Sequence, residues 1–182
     1  MQPIKTLVRH LEEFGGQEHY LFRLTDLQPL FPDLSGSALK ALLSRAVSSG
    51  VLVRVCRGIY LYEKAGYPRG LLLFHVAAYL RADALNYLSL ETVLSDAGVI
   101  SQVLINRITV MSSGRTSEIR CGSFGVIEFV HTNQTALEIK DQLTYDSRCH
   151  LWRASIKQAL RDMRVTRRNM DLVNWDEVAE YE

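Results

Sequence analysis

The sequence predicts an α+β protein in two parts: an N-terminal winged helix-turn-helix over residues 1–65, then a mixed α/β C-terminal domain with a small antiparallel sheet over residues 70–182. Three observations predict it. Helical periodicity marks three segments before residue 50. An apolar ribbon, Val51 to Tyr62, then alternates as two strands on either side of Cys56-Arg57-Gly58. Beyond a break at Gly66-Tyr67-Pro68, two helical segments, three strand-like segments and a closing helix follow.

In the first helix Ile4, Leu7, Val8, Leu11 and Phe14 recur at helical spacing, and Gly15-Gly16 stops it. Leu24, Leu27, Leu30 and Phe31 make a short second helix with Thr25 as its N-cap; Pro29 keeps it short and Pro32 closes it. Ser35 caps a third helix running to about Ser49, with Leu39, Leu42, Leu43, Ala46 and Val47 as its buried stripe and Gly50 as its stop. The two strands of the ribbon follow, with Gly58 supplying a positive φ at their turn.

In the second part, Leu71 to Leu80 reads as a mostly buried helix. Asn86-Tyr87-Leu88-Ser89 leads into another helix, Leu90 to Ala97, with Ser89 as N-cap and Gly98 as stop. Strands are expected at Ile105 to Met111, Glu118 to Cys121 and Val126 to His131. A helix from about Leu151 to Arg164, reaching toward Arg168, precedes an acidic tail holding Asp171, Asp176, Glu177, Glu180 and Glu182.

Composition narrows the class. The chain is 47% hydrophobic and 23% charged over 182 residues, enough for one ordinary domain or two small ones. The longest apolar run, Gly70 to Leu80, falls short of the roughly 20 residues a membrane span needs. The opening residues lead into an amphipathic segment with no apolar signal region, so no membrane partner and a cytoplasmic location are expected. Cys56, Cys121 and Cys149 are odd in number and widely spaced, as for reduced thiols; no metal and no cofactor is expected.

The net charge of +1 hides a pattern. From Ser35 to Gly58 the chain carries Lys40, Arg45, Arg54 and Arg57 and no acid. The third helix turns Ser37, Lys40, Ala41, Ser44 and Arg45 away from its apolar stripe, and such small, polar and basic side chains suit close approach to a sugar-phosphate groove. These five residues, with Arg54 and Arg57 reaching phosphate or minor groove from the turn, form a candidate surface for double-stranded DNA. A charge run also describes a solvated face; the agreement of helix and turn favours DNA. A possible second basic surface is the closing helix, where Arg153, Lys157, Arg161, Arg164 and Arg168 fall at helical spacing opposite Trp152, Ile156, Ala159, Leu160 and Met163. That stripe could extend a DNA footprint, meet RNA, dock an acidic protein partner, or be only solvated.

Catalysis finds little support. Cys149 and His150 are adjacent but lack an orienting carboxylate, and His75 reads as a satisfied core histidine. Glu91, in the first turn of its helix, is explained by the helix dipole or by bonds to neighbouring backbone. Phosphate loops, metal-ligand spacings and nucleophile elbows are missing from the sequence, so no catalytic residue and no enzyme is expected.

Two segments are familiar: Gly50-Val51-Leu52-Val53-Arg54-Val55-Cys56-Arg57-Gly58-Ile59-Tyr60, and Tyr87-Leu88-Ser89-Leu90-Glu91-Thr92-Val93-Leu94-Ser95-Asp96-Ala97-Gly98-Val99-Ile100. They resemble the AbiEi family, the antitoxin and transcriptional-regulator half of type IV toxin-antitoxin modules, whose wing has the form G-x-L-x-R-x-x-R-G-x-Y and precedes a Y-[IL]-S-L-E block. Ala154 to Asp162 looks like a diverged form of a later family block, with Ile156, Lys157 and Gln158 in place of Pro, Glu and Lys. The resemblance spans the first helix to about Val173. It implies a repressor that binds inverted repeats in its own promoter, and a C-terminal part that counteracts a nucleotidyltransferase-like toxin without a stable complex. The runner-up is a protein-interaction module that docks an acidic partner through the basic closing helix.

Overall fold

The computed structural model describes residues 2–102 and 104–181; Glu182 of the acidic tail lies outside the described residues. The chain divides into two compact units, Met1–Leu72 and Leu73–Glu182.

In the first unit, α1 (Pro3–Phe14) begins with proline at its first turn and buries Leu7 and Leu11 completely. It ends at Gly15, where a Cβ would stand 2.4 Å from the Leu11 carbonyl oxygen and 2.8 Å from the Tyr62 ring, so only glycine fits there. A strand that periodicity does not mark, β1 (Leu21–Arg23), follows. It displaces the expected cap of the second helix. In α2 (Leu24–Leu27), which continues as a 3-10 turn through Leu30, the N-cap is Arg23 and not Thr25: the Arg23 backbone N–H donates to Asp26 at 2.9 Å, and its guanidinium pairs with the same carboxylate. Next, α3 (Gly36–Ser48) starts as expected, with the Ser35 hydroxyl accepting the Ala38 N–H at 3.2 Å.

Strands β2 (Val53–Cys56) and β3 (Ile59–Leu61) pair antiparallel, and Cys56 opposite Ile59 leaves Arg57-Gly58 as a two-residue turn. Leu21 opposite Leu61 adds β1 to the other edge, giving the order β1-β3-β2. One core joins these elements: Leu7 and Leu11 of α1, Leu39, Leu42, Leu43 and Ala46 of α3, and Leu52, Tyr60 and Tyr62 around the hairpin.

The second unit is built on a six-stranded mixed sheet of order β6-β7-β5-β4-β9-β8. Its elements are α4 (Leu72–Leu80), β4 (Asn86–Leu88), α5 (Leu90–Asp96), β5 (Arg107–Ser112), β6 (Ser117–Arg120), β7 (Val126–His131), α6 (Ala136–Ile139), β8 (Leu143–Asp146), β9 (Leu151–Ala154), α7 (Ile156–Val165) and α8 (Trp175–Ala179). The sheet corrects the expected small antiparallel one, because β5 runs parallel to β7 and β4 parallel to β9. Asn86–Leu88, read as a lead-in to a helix, is β4, between β5 and β9 in the sheet.

Leu151–Ala154 is likewise a strand and not the first turn of the closing helix, since β4 takes it on one side and β8 on the other. The helix that follows begins only after Ser155, whose hydroxyl accepts the Gln158 N–H at 3.1 Å. Leu90 opens α5 at φ 57 and is fully buried. Its cap Ser89 does not bond the helix; the hydroxyl instead donates to Asp162 at 2.6 Å. Gln158 donates to Asp162 and to Gln134, each at 2.8 Å, and ties α7 to this buried polar line.

Candidate nucleic-acid interface

The outward face of α3 is set by its period. With Leu39, Leu42, Leu43 and Ala46 committed to the core, the remaining positions Ser37, Lys40, Ala41, Ser44 and Arg45 all lie exposed. The two serines add polar groups without bulk, and Ala41 leaves the centre of that face shallow. At the hairpin, Arg54 of β2 and Arg57 of the turn are exposed, while Val55 and Cys56 between them are buried. Gly58 holds φ 78, beyond easy reach of a side-chain-bearing residue, and its carbonyl accepts the Leu24 N–H at 3.0 Å, tying the turn to α2.

Among the described residues none of Lys40, Arg45, Arg54 and Arg57 forms a salt bridge, whereas Arg23, Arg107, Arg120, Arg148, Arg153 and Arg168 all do. Four exposed cations on one small domain, with no acid engaging them, leave an uncompensated positive potential. Because α3 and the hairpin share one core, that potential is held on a fixed scaffold.

Residues 11–62, from within α1 to just past β3, match the model of a family described as "Transcriptional regulator, AbiEi antitoxin". Over these residues the chain is similar to the AbiEi family. The match covers α3, both strands of the hairpin and every basic residue of the candidate face. No curated protein matches the chain. The family match stops before the Tyr87–Ile100 block.

The second basic surface is not the five-residue helical stripe that spacing predicts. Arg153 lies in β9, where it pairs with Asp96 at 3.0 Å and Asp146 at 3.6 Å. Arg168 lies past the end of α7, after Arg167 turns the backbone to φ 57, and is held by Glu91 and Glu128. The Glu91 carboxylate is therefore a partner of Arg168, beyond the local dipole role expected of it. Only Lys157, Arg161 and Arg164 remain as an exposed face of α7. Trp152, expected to pack against the core side, is 45% exposed and meets Tyr145 edge-on.

The histidine and cysteine candidates resolve in structural terms. The half-buried His75 donates through Nε2 to the Arg148 carbonyl at 2.6 Å, and burial keeps it below the ordinary imidazole value. Cys149 is buried, and burial, helped by the nearby Asp146, pushes its thiol up to about 11, so it is protonated at neutral pH. Among the described residues no helix is long and apolar enough to cross a membrane.

What the sequence did not reveal is the buried line Ser89-Asp162-Gln158-Gln134. Asp162 is 2% exposed, and burial raises its carboxyl above the usual range despite the Ser89 and Gln158 hydrogen bonds. The one visible hint was Asp162 falling on the apolar side of α7, next to Met163 and opposite the basic residues.

Proposed function

We propose that the chain is a DNA-binding antitoxin whose N-terminal unit is a winged helix-turn-helix. In this assignment α2 and α3 form the helix pair, α3 enters the major groove, and the β2–β3 turn is the wing. Ser37, Lys40, Ala41, Ser44 and Arg45 face the duplex, and Arg54 and Arg57 meet the phosphates or minor groove beside it. The protein represses its own operon by binding inverted repeats in the promoter. The C-terminal unit counteracts a nucleotidyltransferase-like toxin of the type IV class without a stable complex, and both act in the cytoplasm.

The observation that carries this is the exposed, acid-free set of Lys40, Arg45, Arg54 and Arg57, unpaired among the described residues and fixed on one core. The similarity of residues 11–62 to a family of antitoxin transcriptional regulators supports the regulatory role.

Gel retardation of the native promoter fragment tests it. Lys40→Glu with Arg57→Glu abolishes retention at physiological salt, whereas Arg161→Glu on α7 leaves it within twofold. Unchanged retention by the first pair rejects the assigned surface. Co-expression with the neighbouring reading frame tests the antitoxin half: growth is restored by the intact chain and also by the Lys40→Glu, Arg57→Glu variant when its expression is driven independently.

A further inference from the structure

The second unit holds a groove that neither DNA binding nor the fold requires. Its cavity of about 1100 Å³ lies between α5, α7, α8 and the strand ends around β9. That is at or above the upper end of small-molecule pockets, which run to roughly 1,000 Å³. Its floor is aliphatic, closed by the buried Val93 of α5, Leu160 of α7 and Val178 of α8, with the half-buried Ala97 just past α5 and Ile156 of α7 at its wall. Trp175 and Tyr181 line it as well and stay 49% and 56% exposed, an unusual outlay of aromatic surface to water on so short a helix and its end.

The charge of the groove is one-sided. Arg153, Lys157 and Arg164 line it, and its single acid, Asp96, is already engaged by Arg153 at 3.0 Å. The acids of the tail do not oppose them there. On α8 and its end, Trp175, Val178, Ala179 and Tyr181 face the groove, while Asp176, Glu177 and Glu180 are not among its lining. Lys157 and Arg164 thus stand beside apolar surface without a salt-bridge partner among the described residues.

We propose that this groove docks an acidic amphipathic helix of a partner protein. The occupant's apolar stripe would meet Ile156, Trp175 and Tyr181 above a floor closed by Val93, Leu160 and Val178, and its flanking carboxylates would meet Lys157 and Arg164. A nucleic acid strand fits less well. The floor is aliphatic, and of the two rings in the lining Trp175 is already overlaid by the Arg164 guanidinium, 5.6 Å from its centroid, which leaves Tyr181 as the one ring open to a base. Docking here is independent of the α3 face.

The test uses the full chain and a fluorescein-labelled 18-residue helical peptide with leucines at i, i+3, i+4 and i+7 spacing and glutamates between them. Anisotropy is expected to saturate at micromolar protein. Lys157→Glu with Arg164→Glu weakens it at least tenfold, Trp175→Ala weakens it independently, and a scrambled peptide of the same composition does not saturate. Circular dichroism and promoter retention of each variant remain those of the parent, which separates groove failure from unfolding and from failure of the DNA assignment. Absence of saturable peptide binding overturns the proposal. So does equal binding of the scrambled peptide, or preferential binding of a ten-nucleotide single strand lost in the same variants.

Discussion

Gly58 shows how one residue sets a surface. Its φ of 78 lets the hairpin turn in two residues, so that Arg57 projects while Cys56 and Ile59 stay in the strands. Nothing stands within 4 Å of where its Cβ would be, so a substitution meets backbone strain alone and no clash. A left-handed conformation costs a residue with a Cβ about 1 kcal/mol or somewhat more. Gly58→Ala is accordingly expected to lower the urea unfolding free energy by about 1 kcal/mol. Gly58→Asn should recover part of that loss, since asparagine tolerates this conformation better. Equal midpoints for alanine and glycine would mean that the turn relaxes and does not hold Arg57 in place.

At the scale of elements, the buried aspartate of α7 makes a pH-dependent prediction. Asp162 has its carboxyl raised by burial, so the folded state holds its proton to higher pH than the unfolded chain does. Its contribution to stability is therefore fully present below the ordinary carboxylate value, about pH 4, and declines as pH rises from there through the raised folded value. Asp162→Asn keeps an acceptor for the Ser89 hydroxyl and removes the titration. Chemical denaturation at several pH values should find the variant gaining on the parent steadily above about pH 4 and then levelling. A constant difference across pH would mean that Asp162 is not the group responsible.

The same element shows what could be read from sequence. The third helix was legible because cap, apolar stripe and stop agree: Ser35, then Leu39, Leu42, Leu43 and Ala46, then Gly50. Leu151–Ala154 was not, because four residues cannot show a period, and the partners that make them a strand come from β4, more than sixty positions back, and β8. Ser155 followed by Gln158 was the available sign that the helix begins later. Three-residue β1 and β4 are strands for the same long-range reason. Of the candidate sites, the α3 face needed only local periodicity. The Arg168 pairs with Glu91 and Glu128 depend on residues 77 and 40 positions away, which no local pattern encodes.

For the whole molecule, the charge bookkeeping of the N-terminal unit gives a quantitative expectation. Each cation that neutralises a DNA phosphate releases counterions and contributes about −0.9 to the slope of log affinity against log salt. Lys40, Arg45, Arg54 and Arg57, all meeting phosphate, would give a slope of about −3.6 per bound unit. Two units on an inverted repeat would double it. Alanine at any of the four should flatten the slope per unit by about 0.9 while weakening binding to all sequences alike. A residue that reads a base edge instead should change the preferred operator with less effect on the slope. Ser37 and Ser44, being uncharged, should leave the slope untouched and act on sequence preference alone. A slope that stays the same when Arg54 and Arg57 are replaced would leave α3 as the sole contact and make the hairpin a structural strut. A loss of about 1.8 when both are replaced would give the wing its share of the phosphates, and the partition between helix and hairpin is read directly from titrations of one fragment at several salt concentrations.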